Sequence, residues 1–111
     1  MNPTDLADRY FACIREKNID GLAALYEDDA TFILPDGRAF EGKSAIREMH
    51  LDVFAAGSPV PSPINKVVGQ NSIAVEIEAR LPDGTIRNTA NFYELSSAGR
   101  IRRLSVYMRG G

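Results

Sequence analysis

A single cysteine, Cys13, and a single histidine, His50, are all that this 111-residue chain has of the residues that staple folds or ligate transition metals. One thiol makes no internal disulfide, and Cys13 falls inside a helical pattern, so a reducing, cytoplasmic setting is expected. One Cys and one His cannot furnish a structural zinc site, and the acids show no EF-hand-like spacing. No metal and no cofactor is therefore expected. The formal net charge is only −2, whereas a nucleic-acid binder usually carries a basic face. No apolar run approaches the roughly 20 residues of a membrane span, and "MNPTDLADRY" lacks the basic-then-apolar order of a secretory signal. Partners made of nucleic acid or membrane are thus not expected. What remains is 44% apolar and 25% charged residues, the balance of an ordinary globular protein. The length suits one domain over residues 1–111, with a single modest core.

The first half of the chain reads as helices. From Pro3 to about Lys17, Leu6, Tyr10, Phe11, Cys13 and Ile14 form a continuous apolar face, with Thr4 or Asn2 as N-cap and Asp5 and Asp8 in the first turn. "KNIDG" breaks this helix, and a shorter second one carries Leu22, Leu25 and Tyr26 up to the acidic stop "EDD". "ATFIL" then reads as a strand ended by the turn signal "PDG", with "RAFEG" returning as a short partner. Lys43 to about Ala56 makes the third helix. "SPVPSP" reads as an extended connector. Beyond it the pattern alternates: "INKVVGQN", "SIAVEIEARL", "TIRNTANFYEL" and "RIRRLSVYMR" are four long antiparallel strands joined by polar turns. Ile73, Val75, Ile77, Ala79 and Leu81 point one way, and Glu76, Glu78 and Arg80 the other. The order implies an α+β architecture whose sheet is covered on one face.

His50 stands out. Ile46, Met49, His50 and Val53 follow i, i+3, i+4, i+7 spacing, which sets the imidazole on the inward stripe of the third helix. A buried imidazole is costly unless hydrogen-bonded. Its plainer role is that of a satisfied core histidine; its sharper role is that of a base at neutral pH.

The motifs "RYF", "NIDGLAALYEDDATF", "FEGKSAIREM", "IAVEIEARLPDG" and "FYELSSAGRIRRLSVYM" cover nearly the whole chain and resemble the nuclear-transport-factor-two-like superfamily. The nearest branch is the SnoaL-like and ketosteroid-isomerase-like one, which includes polyketide cyclases. The resemblance implies a cystatin-like cone: three N-terminal helices packed in a strongly curved, mostly antiparallel β-sheet, with a pocket at its open end. It says little about any one reaction, because such folds host enzymes, binders and association modules alike.

Ketosteroid isomerases of this kind use a carboxylate base and an oxyanion hole of a tyrosine and a protonated aspartic acid. By resemblance the tyrosine falls on Tyr10 and the acid on Asn91, while the base position holds Leu34. Leucine takes no proton, so the usual steroid isomerisation is not expected. Tyr10 and Asn91 would still polarise a carbonyl oxygen. The phenols that back such a tyrosine fall on Tyr26 and His50, and a Tyr10–His50 hydrogen bond with Tyr26 nearby is expected. The pocket wall is expected from Phe11, Phe32, Leu34, Met49, Phe54, Val75, Ile77, Val106 and Met108. Among the acids, Asp28 and Asp29 read as the end of a helix, Asp36 and Asp83 as turn residues, and Glu41 as a rim residue.

Two functions from different classes follow. One is a pocket for a small, mostly apolar or aromatic molecule bearing a carbonyl or phenol oxygen, with isomerisation, cyclisation or dehydration through an enolate. The other is a non-catalytic ligand-binding or dimerisation module that lacks the family's base. The alternation also sets Arg103, Ser105, Tyr107, Glu76, Glu78 and Phe92 outward, and a homodimer through this convex sheet face is expected.

Overall fold

The computed structural model describes residues 1–57 and 60–109. The elements run α1 (Pro3–Glu16), α2 (Ile19–Ala23), β1 (Tyr26–Ile33), β2 (Ala39–Glu41), α3 (Lys43–Ala55), β3 (Val60–Val68), β4 (Ser72–Arg80), β5 (Ile86–Leu95) and β6 (Ile101–Met108). The six strands form one open sheet in the order β2-β1-β6-β5-β4-β3. Every pairing is antiparallel except β1 with β6, which is parallel. Register shifts interrupt β1, β3 and the end of β5, and such irregularities bend and twist a sheet. The helices lie on its concave side. No helix among the described residues is long and apolar enough to cross a membrane.

Helix α1 starts where chemistry directs it. The Asn2 side chain accepts the backbone N–H of Asp5, and Pro3 occupies the first turn, where a missing donor costs nothing. It ends at Lys17, whose φ of 53° is left-handed and whose N–H bonds back to Ile14 O. Leu6, Ala7, Tyr10, Phe11 and Cys13 are buried against the sheet and α2. An ion pair of 2.8 Å between Asp8 and Lys66 ties the outer side of α1 to β3. The second helix is only Ile19–Ala23, capped by Asn18 on Gly21 N–H. The short Asn18 contact also explains Gly21, since an added Cβ there would lie 2.5 Å from the Asn18 amide.

Three sequence expectations shift here. Tyr26 is not helical: it opens β1, and Leu25 O accepts the N–H of Ile101 at 2.7 Å. The i, i+3, i+4 spacing of Leu22, Leu25 and Tyr26 imitated a helix, but pairing with β6 takes these backbone groups into the sheet. The acids Asp28 and Asp29 likewise belong to β1. Tyr26 pairs with Ile101 and Thr31 with Arg103, so the intervening residues exceed their partners and bulge, setting Asp28 and Asp29 in solvent while Ala30 stays buried.

The proline segment is the third. Ser58 and Pro59 lie outside the described residues, but Val60–Pro63 already belong to β3. Strand β3 is at the sheet edge, the one place in a ladder where prolines are tolerated.

The alternation holds through β4 and through the second half of β5, from Asn91 to Leu95. Ile73, Val75, Ile77 and Ala79 are buried on the concave face, opposite Tyr93, Asn91, Thr89 and Arg87. On the other face, Ser105 was expected outward; it pairs with Phe92 there yet is buried, being too small to rise above Phe92 and its other partner, Ile33. Glu41 sits exposed on β2 beside Thr31, away from the concave side.

Candidate functional site

The concave face and the helices do not close completely. They leave a cavity of about 560 Å³ whose wall is mostly apolar. From α1 come Tyr10 and Phe11; from α3 come Met49, His50 and Phe54. Strand β1 supplies Phe32 and, just past its end, Leu34. Ile77 from β4, Asn91 from β5, and Val106 and Met108 from β6 complete the part expected from the sequence. Val75 and Tyr26 are not on the wall. Both are fully buried behind it, because the cavity ends above the layer of the core where they sit.

The floor is a chain of polar groups buried among aromatic rings. Tyr26 Oη and His50 Nε2 are 3.0 Å apart. The Tyr10 hydroxyl lies near that of Tyr26, close enough for each to influence the ionisation of the other. The bond expected between Tyr10 and His50 is not formed: His50 Nε2 bonds Tyr26 instead. Tyr10 meets His50 only as a ring edge, with centroids 6.2 Å apart. The reason is strand geometry: starting β1 at Tyr26 brings its phenol to the imidazole.

A residue that sequence reasoning passed over completes the floor. Tyr93 is fully buried, accepts a 2.9 Å hydrogen bond from Asn91 Nδ2, and packs edge-on against Tyr10 at 5.3 Å. Its signal was present in the letters, since Tyr93 stands two positions from Asn91 on the same side of an alternating strand. The amide of Asn91 has two N–H donors; Tyr93 takes one. No buried side-chain polar atom among the described residues lacks a partner.

Burial dictates the ionisation of this cluster. It raises the Tyr10, Tyr26 and Tyr93 hydroxyls well above the ordinary phenol range, so all three stay protonated at neutral pH. Burial also lowers the His50 imidazole to about 4, so the ring is neutral. Either tautomer of His50 satisfies the bond to Tyr26: Nε2–H donates to the phenol oxygen, or the phenol donates to a bare Nε2.

A base is what the cavity lacks. Among the described residues the sole carboxylate on its wall is Asp36, at the mouth. Asp36 accepts the Arg38 backbone N–H and pairs with the Arg38 side chain, which hold its carboxyl below the usual range and make it a weak base. His50, depressed by burial and bonded to Tyr26 through Nε2, is also poorly placed to take a proton from carbon. No cluster of three or more His, Cys, Asp or Glu side chains suited to a metal occurs among the described residues. Further wall residues not expected from the sequence include Ile14, Val53, Pro61, Thr89 and, at the mouth, Arg38 and Arg87.

A family model described as the SnoaL-like domain matches residues 7–104. Several solved structures share the fold. A candidate ketosteroid isomerase from Kribbella flavida superposes with a TM-score of 0.86 at 19% identity, covering 96% of this chain and 77% of its own. The epoxide hydrolase/cyclase-like enzyme SalBIII, from pyran ring formation in salinomycin, gives 0.83 at 23% identity, covering 95% and 88%. A candidate polyketide cyclase from Sinorhizobium meliloti gives 0.80 at 24% identity, covering 92% and 93%. No curated protein matches the sequence. At these identities the structural likeness speaks to the fold alone.

Proposed function

We infer that this chain, which belongs to the SnoaL-like domain family, binds a small, mostly apolar molecule through a carbonyl or phenol oxygen held at the cavity floor. One observation carries the reading: Tyr10 and Asn91 reach the same greasy cavity, with their supporting groups already hydrogen-bonded behind them. A wall of this kind, apolar with a few convergent polar groups, is the usual form of a ligand site. Tyr10 would donate to the guest oxygen, His50 and Tyr26 would orient the Tyr10 proton, and the second N–H of Asn91 would share the same atom. Phe32, Met49, Phe54, Ile77 and Val106 would enclose the body of the guest.

Such a floor polarises an oxygen, but it does not supply a base. Enolate-forming isomerisation, cyclisation or dehydration would need its base from the substrate or from water. Leu34 on the wall, where the resemblance puts a carboxylate, and the paired state of Asp36 favour binding without turnover as the second reading.

The test is a fluorescence titration with an aromatic phenol, naphthol, on wild type, Tyr10→Phe and Asn91→Ala, each checked for folding by circular dichroism. Loss of one hydrogen bond in a dry site should weaken binding about tenfold for each variant. Equal affinity in all three proteins would remove the floor from the binding site.

The convex face supports a second element of the proposal, a homodimer. Phe92 and Tyr107 are 52% and 59% exposed, packed edge to face at 6.2 Å. Around them Ala74 and Ala90 keep the surface low, while Glu76, Glu94 and Arg103 ring it with charge of both signs. An aromatic centre with a charged rim is the anatomy of an interface.

A further inference from the structure

Strand alternation places a guanidinium over an apolar cavity. Arg87 pairs with Ala79 and shares its side of β5 with Thr89, Asn91 and Tyr93, so it belongs to the concave face and lines the cavity mouth. Arg38 lines the mouth too, but it is committed: its Nε lies 2.8 Å from Asp36 Oδ2, and its backbone N–H bonds the other oxygen at 2.9 Å. Arg87 enters no ion pair among the described residues. The acid whose charge it feels, Asp83, is held by the backbone N–H of Thr85 at 2.9 Å. The mouth thus presents one uncommitted cation above a wall of hydrocarbon.

We propose that Arg87 receives a carboxylate of the bound molecule, which makes the guest a keto or phenolic acid with an apolar middle. The inference rests on the reading of the floor given above, and it adds the far end of the ligand. Arg87 and Asn91 stand four residues apart on β5, about 13 Å at the usual rise per residue. A fused two-ring aromatic with an oxygen at one end and a carboxylate at the other is of comparable length, and the long Arg87 side chain can adjust to its carboxylate end. A guanidinium takes both carboxylate oxygens at once, which also fixes the orientation of the guest.

The experiment compares three fluorescent probes: naphthol, 6-hydroxy-2-naphthoate and the methyl ester of that acid. Each is titrated into wild type, Arg87→Gln, and Arg100→Gln, which removes the same charge from the exposed turn before β6. Wild type should prefer the hydroxy acid over naphthol and over the ester by about fivefold, a modest gain because the mouth is open to solvent. Arg87→Gln should lose that preference and keep its naphthol affinity, and Arg100→Gln should behave as wild type. The preference should also shrink as salt rises. Naphthol binding with no added affinity for the acid, or an acid preference that survives Arg87→Gln, overturns this inference alone. Failure of every probe to bind wild type overturns it together with the reading of the floor.

Discussion

His50 makes the stability of this protein depend on pH in a window where little else titrates. The ring is 4% exposed, and burial takes it down to about 4 from an ordinary value near 6.5. The unfolded chain therefore accepts a proton as pH drops through about 6.5, while the folded chain refuses it until about 4. Between those values the unfolded state holds more protons, so stability falls as pH falls. A move from about pH 7.5 to about pH 5 should cost about 2 kcal/mol from this group alone, and the full effect near pH 4 is about 3 kcal/mol. Urea denaturation followed by circular dichroism, on wild type and His50→Gln, isolates it, because the carboxylates common to both proteins cancel. Wild type should lose about 2 kcal/mol more than the variant over that interval. The imidazole proton of this lone histidine, followed by NMR, should titrate far below the usual range. If both proteins lose stability equally, or if the imidazole titrates near 6.5, the neutral, buried His50 described above is wrong.

Tyr26→Phe should destabilise by about 1–3 kcal/mol, because it strips the buried partner from His50. Tyr10→Phe should cost less, since Tyr10 borders the cavity; equal losses in chemical denaturation would count against the Tyr26–His50 bond as the buried one. Gly42→Ala tests the backbone: φ of 91° with ψ of 149° suits glycine alone, while the nearest foreign atom to an added Cβ is Asp28 O at 3.8 Å. The expected loss is about 1–3 kcal/mol from conformation without any clash, and an unchanged melting curve would refute it. On the convex face, Phe92→Lys with Tyr107→Asp should turn a homodimer into monomers by sedimentation velocity. A wild type that sediments as a monomer at every concentration would end the dimer proposal.

The letters alone determined a good deal, and the reason is periodicity. Helices α1 and α3 and strand β4 are long enough for their apolar spacing to be unambiguous, so their buried faces could be read from the letters. That is why His50 could be picked out as a polar group on an inward stripe, visible against a regular apolar pattern, whereas Tyr10 and Asn91 were singled out by the family resemblance. Only tertiary structure decided how they meet. Leu22, Leu25 and Tyr26 fit a helix as well as a strand, and the choice was made by β6, more than 70 residues away in sequence, whose backbone captures Leu25 O. That single pairing set the Tyr26 hydroxyl on His50 Nε2. The prolines of β3 were readable as strand only once β3 was known to be an edge. The part played by Arg87 was equally hidden, because an arginine on an alternating strand is ordinary until the fold leaves a cavity beneath it. Local spacing fixes which way a side chain points; which other side chain it finds there depends on contacts between segments that no local pattern encodes.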